Sequence, residues 1–65
     1  MYGQRIRELR EERNLTQAQL ADRIGTTAST VGKYEREGLQ PSVETIISLC
    51  KFFGVSADYL LGLEE

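Results

Sequence analysis

The stretch Gln17–Arg36, QAQLADRIGTTASTVGKYER, decides how this 65-residue chain folds. It predicts two short helices joined by a tight turn at Gly25. In the first helix Leu20 and Ile24 form an apolar stripe, and Ala21 between them is small enough for another helix to cross closely. Gly25 tolerates the positive φ that an abrupt reversal demands. In the second helix Val31 and Tyr34 lie three residues apart and face a core. Its opposite face, Ser29, Gly32, Lys33 and Arg36, is short, polar and cationic.

Working outward, punctuation residues predict three more helices. A first helix spans about Gly3 to Arg13, with Ile6 and Leu9 inward and Arg7 and Glu11 spaced for an i,i+4 pair. Asn14 follows where a left-handed C-cap belongs. Thr16 and Gln19 have the spacing of a capping box, and Leu15 and Leu20 that of a hydrophobic staple across it. Thr27 opens the third helix as N-cap, and Gly38 closes it. Ser42, after Pro41, caps a fourth helix with Glu44 near the positive end of its dipole. Its apolar residues Val43, Ile46, Leu49, Cys50 and Phe53 recur with helical and not strand spacing. Gly54 ends it. Ser56 caps a fifth helix, Val55 and Leu60 repeat the staple, and Gly62 terminates it. Four of the six glycines, at 25, 38, 54 and 62, thus fall just past helix ends, where a left-handed backbone is expected. These signals agree on an all-α, five-helix fold, a single domain over residues 1–65 with its central pair at 17–36.

Composition narrows the function. A hydrophobic fraction of 40% and a charged fraction of 28% are those of a folded domain, not a disordered tail. No apolar run approaches the ~20 residues of a membrane span, and MYGQRIREL lacks a signal-peptide core, so a cytoplasmic protein is expected. With one cysteine and no histidine, neither an intrachain disulfide nor a metal cluster is expected. Cys50 reads as a small buried residue. No cofactor or small-molecule ligand is suggested, and without histidine or a paired-carboxylate cleft catalysis has no support. Net charge is −2, but its distribution is uneven. Residues 1–36 carry seven bases and five acids, a balance of +2, whereas residues 37–65 carry Lys51 against five acids, a balance of −4.

A helix face that is short, polar and cationic suits a groove lined with hydrogen-bonding groups, for which DNA's major groove is the leading candidate. At this point the chain resembles a known family. IRELREERNLTQAQLADRIG, TTASTVGKYEREGLQPS and VETIISLCKFFGVSADYLLG together are similar to the Cro- and phage-repressor-type (Xre-like) helix-turn-helix domains across essentially the whole length. The resemblance implies a lambda-repressor-like fold and a sequence-specific DNA-binding transcriptional regulator, bacterial or phage-encoded, most simply a repressor. It implies a double-stranded operator as partner and a homodimer at least on DNA. It makes the third helix the recognition helix, with Thr27, Ala28, Ser29, Thr30 and Lys33 toward the major groove. Gln17, beside Thr16 at the start of the second helix, matches a phosphate-clamping position, and Gln40 and Ser42 lie in a loop that touches the backbone in relatives. Arg10 and Glu35 match a partly buried salt bridge, and Ala57, Asp58 and Tyr59 lie near the region through which relatives pair.

The chain departs from many relatives at Ala28 and Ser29, where long amides stand in some phage repressors. No bidentate adenine contact is available from them, although Ala28 suits a thymine methyl. Lys33 is then the residue on this face suited to guanine O6 and N7. Gly32 reads either as surface drift or as a means of closer approach to DNA. Arg36, at the end of the helix, is balanced between DNA contact and solvent. Arg5, Arg7, Arg13 and Arg23, interleaved with acids, read as a solvated face, and Tyr34 and Phe53 as core. An antitoxin-like or protein-interaction module is the alternative function, motivated by the acidic second half. The close crossing expected at Ala21 has a direct test. Ala21→Leu overpacks it and lowers stability by about 1–3 kcal/mol, read from thermal unfolding; an unchanged Tm would place the turn elsewhere.

Overall fold

Helix caps satisfy the backbone donors that a helix start leaves unpaired, and every sequence-readable N-cap here does so. The computed structural model describes residues 1–63 and contains α1 (Tyr2–Glu12), α2 (Gln17–Ile24), α3 (Ala28–Glu35), α4 (Val43–Phe53) and α5 (Ala57–Leu60). Thr16 Oγ1 accepts the Gln19 N–H at 3.0 Å while Gln19 Oε1 accepts the Thr16 N–H at 2.8 Å, completing the capping box. Thr27, Ser42 and Ser56 likewise accept the N–H three residues on. Gly25 is left-handed at φ 75°, and this turns α2 sharply into α3. Asn14 takes the same conformation at φ 58° after α1, which begins and ends one residue earlier than its sequence suggests.

The helices enclose one apolar centre. α2 and α3 pack on each other, α1 packs on α3 and α5, and α4 packs on α2 and α5. Ile6, Leu20, Val31, Leu49 and Leu60 are fully buried there, one from each helix, with Leu9, Ala21, Tyr34 and Phe53 around them. Each such large side chain contributes about 1.5–3 kcal/mol when withdrawn from water. Because all five helices place one residue at the centre, none can be displaced without opening it. Among the described residues, no helix is long and apolar enough to cross a membrane.

Three expectations need correction. Val43 is not inward but 67% exposed, as is Ile47 at 48%, while Ile46 and Cys50 are only half-buried. Eleven residues make α4 about 16 Å long, longer than the eight-residue α2 on which it packs. Only its later turns, with Leu49 and Phe53, reach the centre. The partial burial of Cys50 still pushes its thiol pKa up. The arginines expected to form a solvated face are exposed at Arg7, Arg13 and Arg23 and half-buried at Arg5, but they are not idle. Arg13 donates from both terminal nitrogens to the carbonyls of Phe52 and Phe53, at 3.1 and 2.9 Å, closing the end of α4 from a distant helix. The Arg5 guanidinium lies 4.2 Å from the Tyr59 ring centre, and Arg23 lies 5.8 Å from that of Phe52. Arg7 is exposed as well and pairs with Glu11 at 3.3 Å.

The third correction concerns the end of α3, which comes at Glu35 and not at Gly38. The left-handed residue is Glu37, at φ 60°, while the Gly38 N–H bonds back to the Lys33 carbonyl at 2.9 Å. A non-glycine residue accepts this conformation at some cost, and here its side chain is used. Glu37 Oε2 accepts the Gly3 N–H at 3.0 Å, capping the start of α1, and the Tyr2 hydroxyl donates to the Leu39 carbonyl at 3.2 Å. The closeness of this junction explains Gly3. A Cβ built there would stand 2.5 Å from the Glu35 carbonyl oxygen and 2.8 Å from that of Tyr34. Backbone cannot yield cheaply, so Gly3→Ala destabilises by about 1–3 kcal/mol despite the roughly 1 kcal/mol gain in helix propensity. Urea unfolding checks this, and a stabilised variant would mean that α1 and α3 are further apart.

Candidate nucleic-acid interface

The candidate interface is built on the end of α3 and the start of α2, locked together by one carboxylate. Arg10 Nε donates to Glu35 Oε2 at 2.6 Å and Arg10 Nη2 to Glu35 Oε1 at 3.1 Å, a two-point pairing between α1 and α3. The Arg10 and Glu35 side chains are only 12% and 5% exposed, so the pair is shielded from water and salt. Arg10 Nη1 also donates to the Leu15 carbonyl at 2.7 Å, which ties in the turn between α1 and α2. The hydrogen bond to Glu35 holds the Arg10 pKa above its ordinary value, with desolvation pulling the other way.

Gln17 joins the same group. Its Nε2 donates to Glu35 Oε1 at 3.2 Å, so the amide is turned with its NH2 toward the carboxylate, the only orientation an acceptor-only group permits. Three helices therefore meet at Glu35. Sequence spacing carried no sign of the Gln17 contact, because the two residues are 18 positions apart and neither lies on an apolar stripe.

On α3 itself the side chains divide by face. Val31 and Tyr34 are buried, whereas Thr27, Ser29 and Lys33 are exposed and Ala28 and Thr30 half-buried. Thr27 and Thr30 share a hydroxyl–hydroxyl contact of 3.0 Å besides the capping bond, which stiffens the first turn. Arg36 is exposed just past the helix. Gly32 is not on the open face at all: it is buried, covered by Gln17 and Arg36. Of the loop residues, Gln40 is exposed and sits beside Tyr2, Pro41, Ile46 and Leu61, away from the α2 start. Ser42 Oγ is occupied with Thr45, accepting its N–H at 3.2 Å and donating to its hydroxyl at 3.1 Å. Ala57 and Asp58 are exposed on α5, and Tyr59 is half-buried under Arg5.

This arrangement, two short helices hinged at a left-handed glycine with one face free, is a helix-turn-helix, and residues 6–60 match the model of the helix-turn-helix family. The chain belongs to that family. It is 43% identical over its whole length to the uncharacterized HTH-type transcriptional regulator YobD of Bacillus subtilis (strain 168), covering 58% of that protein. It is 42% identical over its whole length to the cryptic phage CTXphi transcriptional repressor RstR of Vibrio cholerae, covering 59% of it. Among solved structures it superposes on the P22 c2 repressor in complex with a synthetic operator with a TM-score of 0.88 and 32% identity, over 92% of this chain and 91% of that one. The chain spans between half and three fifths of the length of the first curated relatives it matches.

The buried pair has a measurable consequence. Glu35→Ala strands the Arg10 guanidinium and costs about 3–5 kcal/mol, on the order of 12 °C or more in Tm for a domain of this size. Arg10→Met combined with Glu35→Leu recovers most of that loss. Thermal unfolding of both variants checks it, and a Glu35→Ala Tm within a degree or two of the parent would show the pair to be solvated.

Proposed function

We propose that this chain is the DNA-binding domain of a sequence-specific transcriptional regulator, most simply a repressor. In this reading two copies bind a pseudo-palindromic operator, each α3 entering the major groove on one face of the duplex about 34 Å from the other. Its work is binding and not catalysis, and its place is the bacterial cytoplasm. The observation that carries the reading is the free face of α3, which presents Thr27, Ser29 and Lys33 to solvent while Val31, Tyr34 and the Glu35 junction fix its other side. The operator complex of the P22 c2 repressor, built on the same fold, supports it.

The roles divide by chemistry. Lys33 reads guanine, Ala28 packs on a thymine methyl, and Thr27, Ser29 and Thr30 hydrogen-bond to base edges or nearby phosphates. Gln17, Thr16 and the backbone N–H groups of the first turn of α2 hold a phosphate. Arg36, Gln40 and Ser42 add backbone contacts along the duplex. Dimerisation engages Ala57, Asp58 and Tyr59 of α5.

Selection from a randomised duplex pool, followed by a salt titration on the enriched sequence, tests the proposal. Binding weakens steeply with salt, as phosphate contacts require. Lys33→Ala lowers affinity for the selected site by about 1–3 kcal/mol and relaxes preference at one base position. Failure to enrich any duplex at low salt would favour the protein-interaction reading, which the acidic second half of the chain motivates.

A further inference from the structure

Gly32 sits in the second turn of an eight-residue helix, where glycine is the poorest choice short of proline. Neither sequence reading accounts for it, since a buried residue is neither surface drift nor the point of closest approach to DNA. What covers it is informative. A Cβ added at Gly32 would lie 3.1 Å from Arg36 Nη1 and 3.5 Å from both Nε2 and Oε1 of Gln17. The Arg36 guanidinium folds back one turn along α3, and the Gln17 amide arrives from the start of α2. Both polar ends therefore converge on one patch of bare backbone. Gln17 is held there by Glu35, whose charge is already matched by the two-point pairing with Arg10.

Resting on the DNA-binding reading above, we propose that Gly32 is a positioning residue for phosphate binding. Its missing side chain is the seat that brings the Gln17 amide and the Arg36 guanidinium together as one two-donor clamp for a single backbone phosphate. The amide keeps a second hydrogen besides the one given to Glu35, and the guanidinium supplies several donors in a planar fork. The phosphate then bridges the start of α2 and the end of α3. This couples the setting of the recognition helix in the groove to a contact that carries no sequence information. A methyl group at position 32 would stand in ordinary contact with the Gln17 amide and 3.1 Å from Arg36 Nη1, the far end of a flexible side chain, so the fold admits it and the Arg36 arm of the clamp is what gives way.

Gly32→Ala therefore separates stability from binding. The variant melts about 4–8 °C higher, from the gain in helix propensity. It binds a short mixed-sequence duplex about tenfold more weakly at low salt, with the slope of log affinity against log salt reduced by about one. Fluorescence anisotropy across a salt series reads both quantities and needs no knowledge of the operator. Arg36→Gln shows the same loss, and the Gly32→Ala/Arg36→Gln double variant loses no more than either single change. Wild-type affinity and slope in Gly32→Ala would overturn the proposal, as would a lowered Tm or losses that add in the double variant. If the wild-type chain itself binds no duplex at low salt, the DNA-binding reading fails first and takes the clamp with it.

Discussion

The carboxylate of Glu35 is the constraint on which the rest of the structure hangs. A buried carboxylate is tolerable only when its charge is met and its lone pairs are filled, and Arg10 and Gln17 do both. Each partner comes from a different helix, so satisfying one group fixes α1, α2 and α3 relative to one another. Arg10 extends the lock to the turn before α2 through the Leu15 carbonyl. Two residues beyond, Glu37 turns back to cap α1. The end of α3 is thus tied to α1 and α2, while Thr27 and Ser29 at its start stay exposed.

That asymmetry gives the helix pair its rigidity without a large core. A chain of this length buries little apolar surface, and polar ties must hold what packing alone would leave loose. The aromatic end of α4 follows the same economy. Arg13 satisfies the last carbonyls of α4 and lies 5.3 Å from the Phe53 ring centre, joining a helix end to α1 with one side chain. Cation–aromatic and charge-assisted bonds of this kind also absorb basic side chains that a count of charges would assign to DNA. Of the basic side chains in residues 1–36, Lys33 and Arg36 lie on or just past α3, while Arg7 and Arg10 are paired with carboxylates.

Much of the fold was legible in the chain because its signals are local. The capping box of Thr16 and Gln19, the caps at Thr27, Ser42 and Ser56, and the left-handed Gly25 and Gly54 each act within four residues, so spacing alone reveals them. The exposed and buried faces of α3 followed from helical period in the same way, apart from Gly32. Legibility failed where a residue's partner is far along the chain. Glu37 takes the conformation expected of Gly38 because its carboxylate reaches Gly3, 34 residues away. Val43 fits the inward stripe of its own helix but is exposed, since only the later turns of α4, with Leu49 and Phe53, reach the centre. The face of Arg13 was set by α4, 39 and 40 positions on.

The sequence by itself thus determined five helices, the capped starts of α2 to α5, the hinge of the central pair and which face of α3 stays polar, since these depend on backbone geometry and hydrogen bonds within a turn or two. Only the tertiary structure decided where α3 ends, which groups the arginines contact, and that Gly32 lies beneath Gln17 and Arg36. Those outcomes depend on which polar groups meet after the helices pack, and that is set by distances between segments that no local pattern encodes.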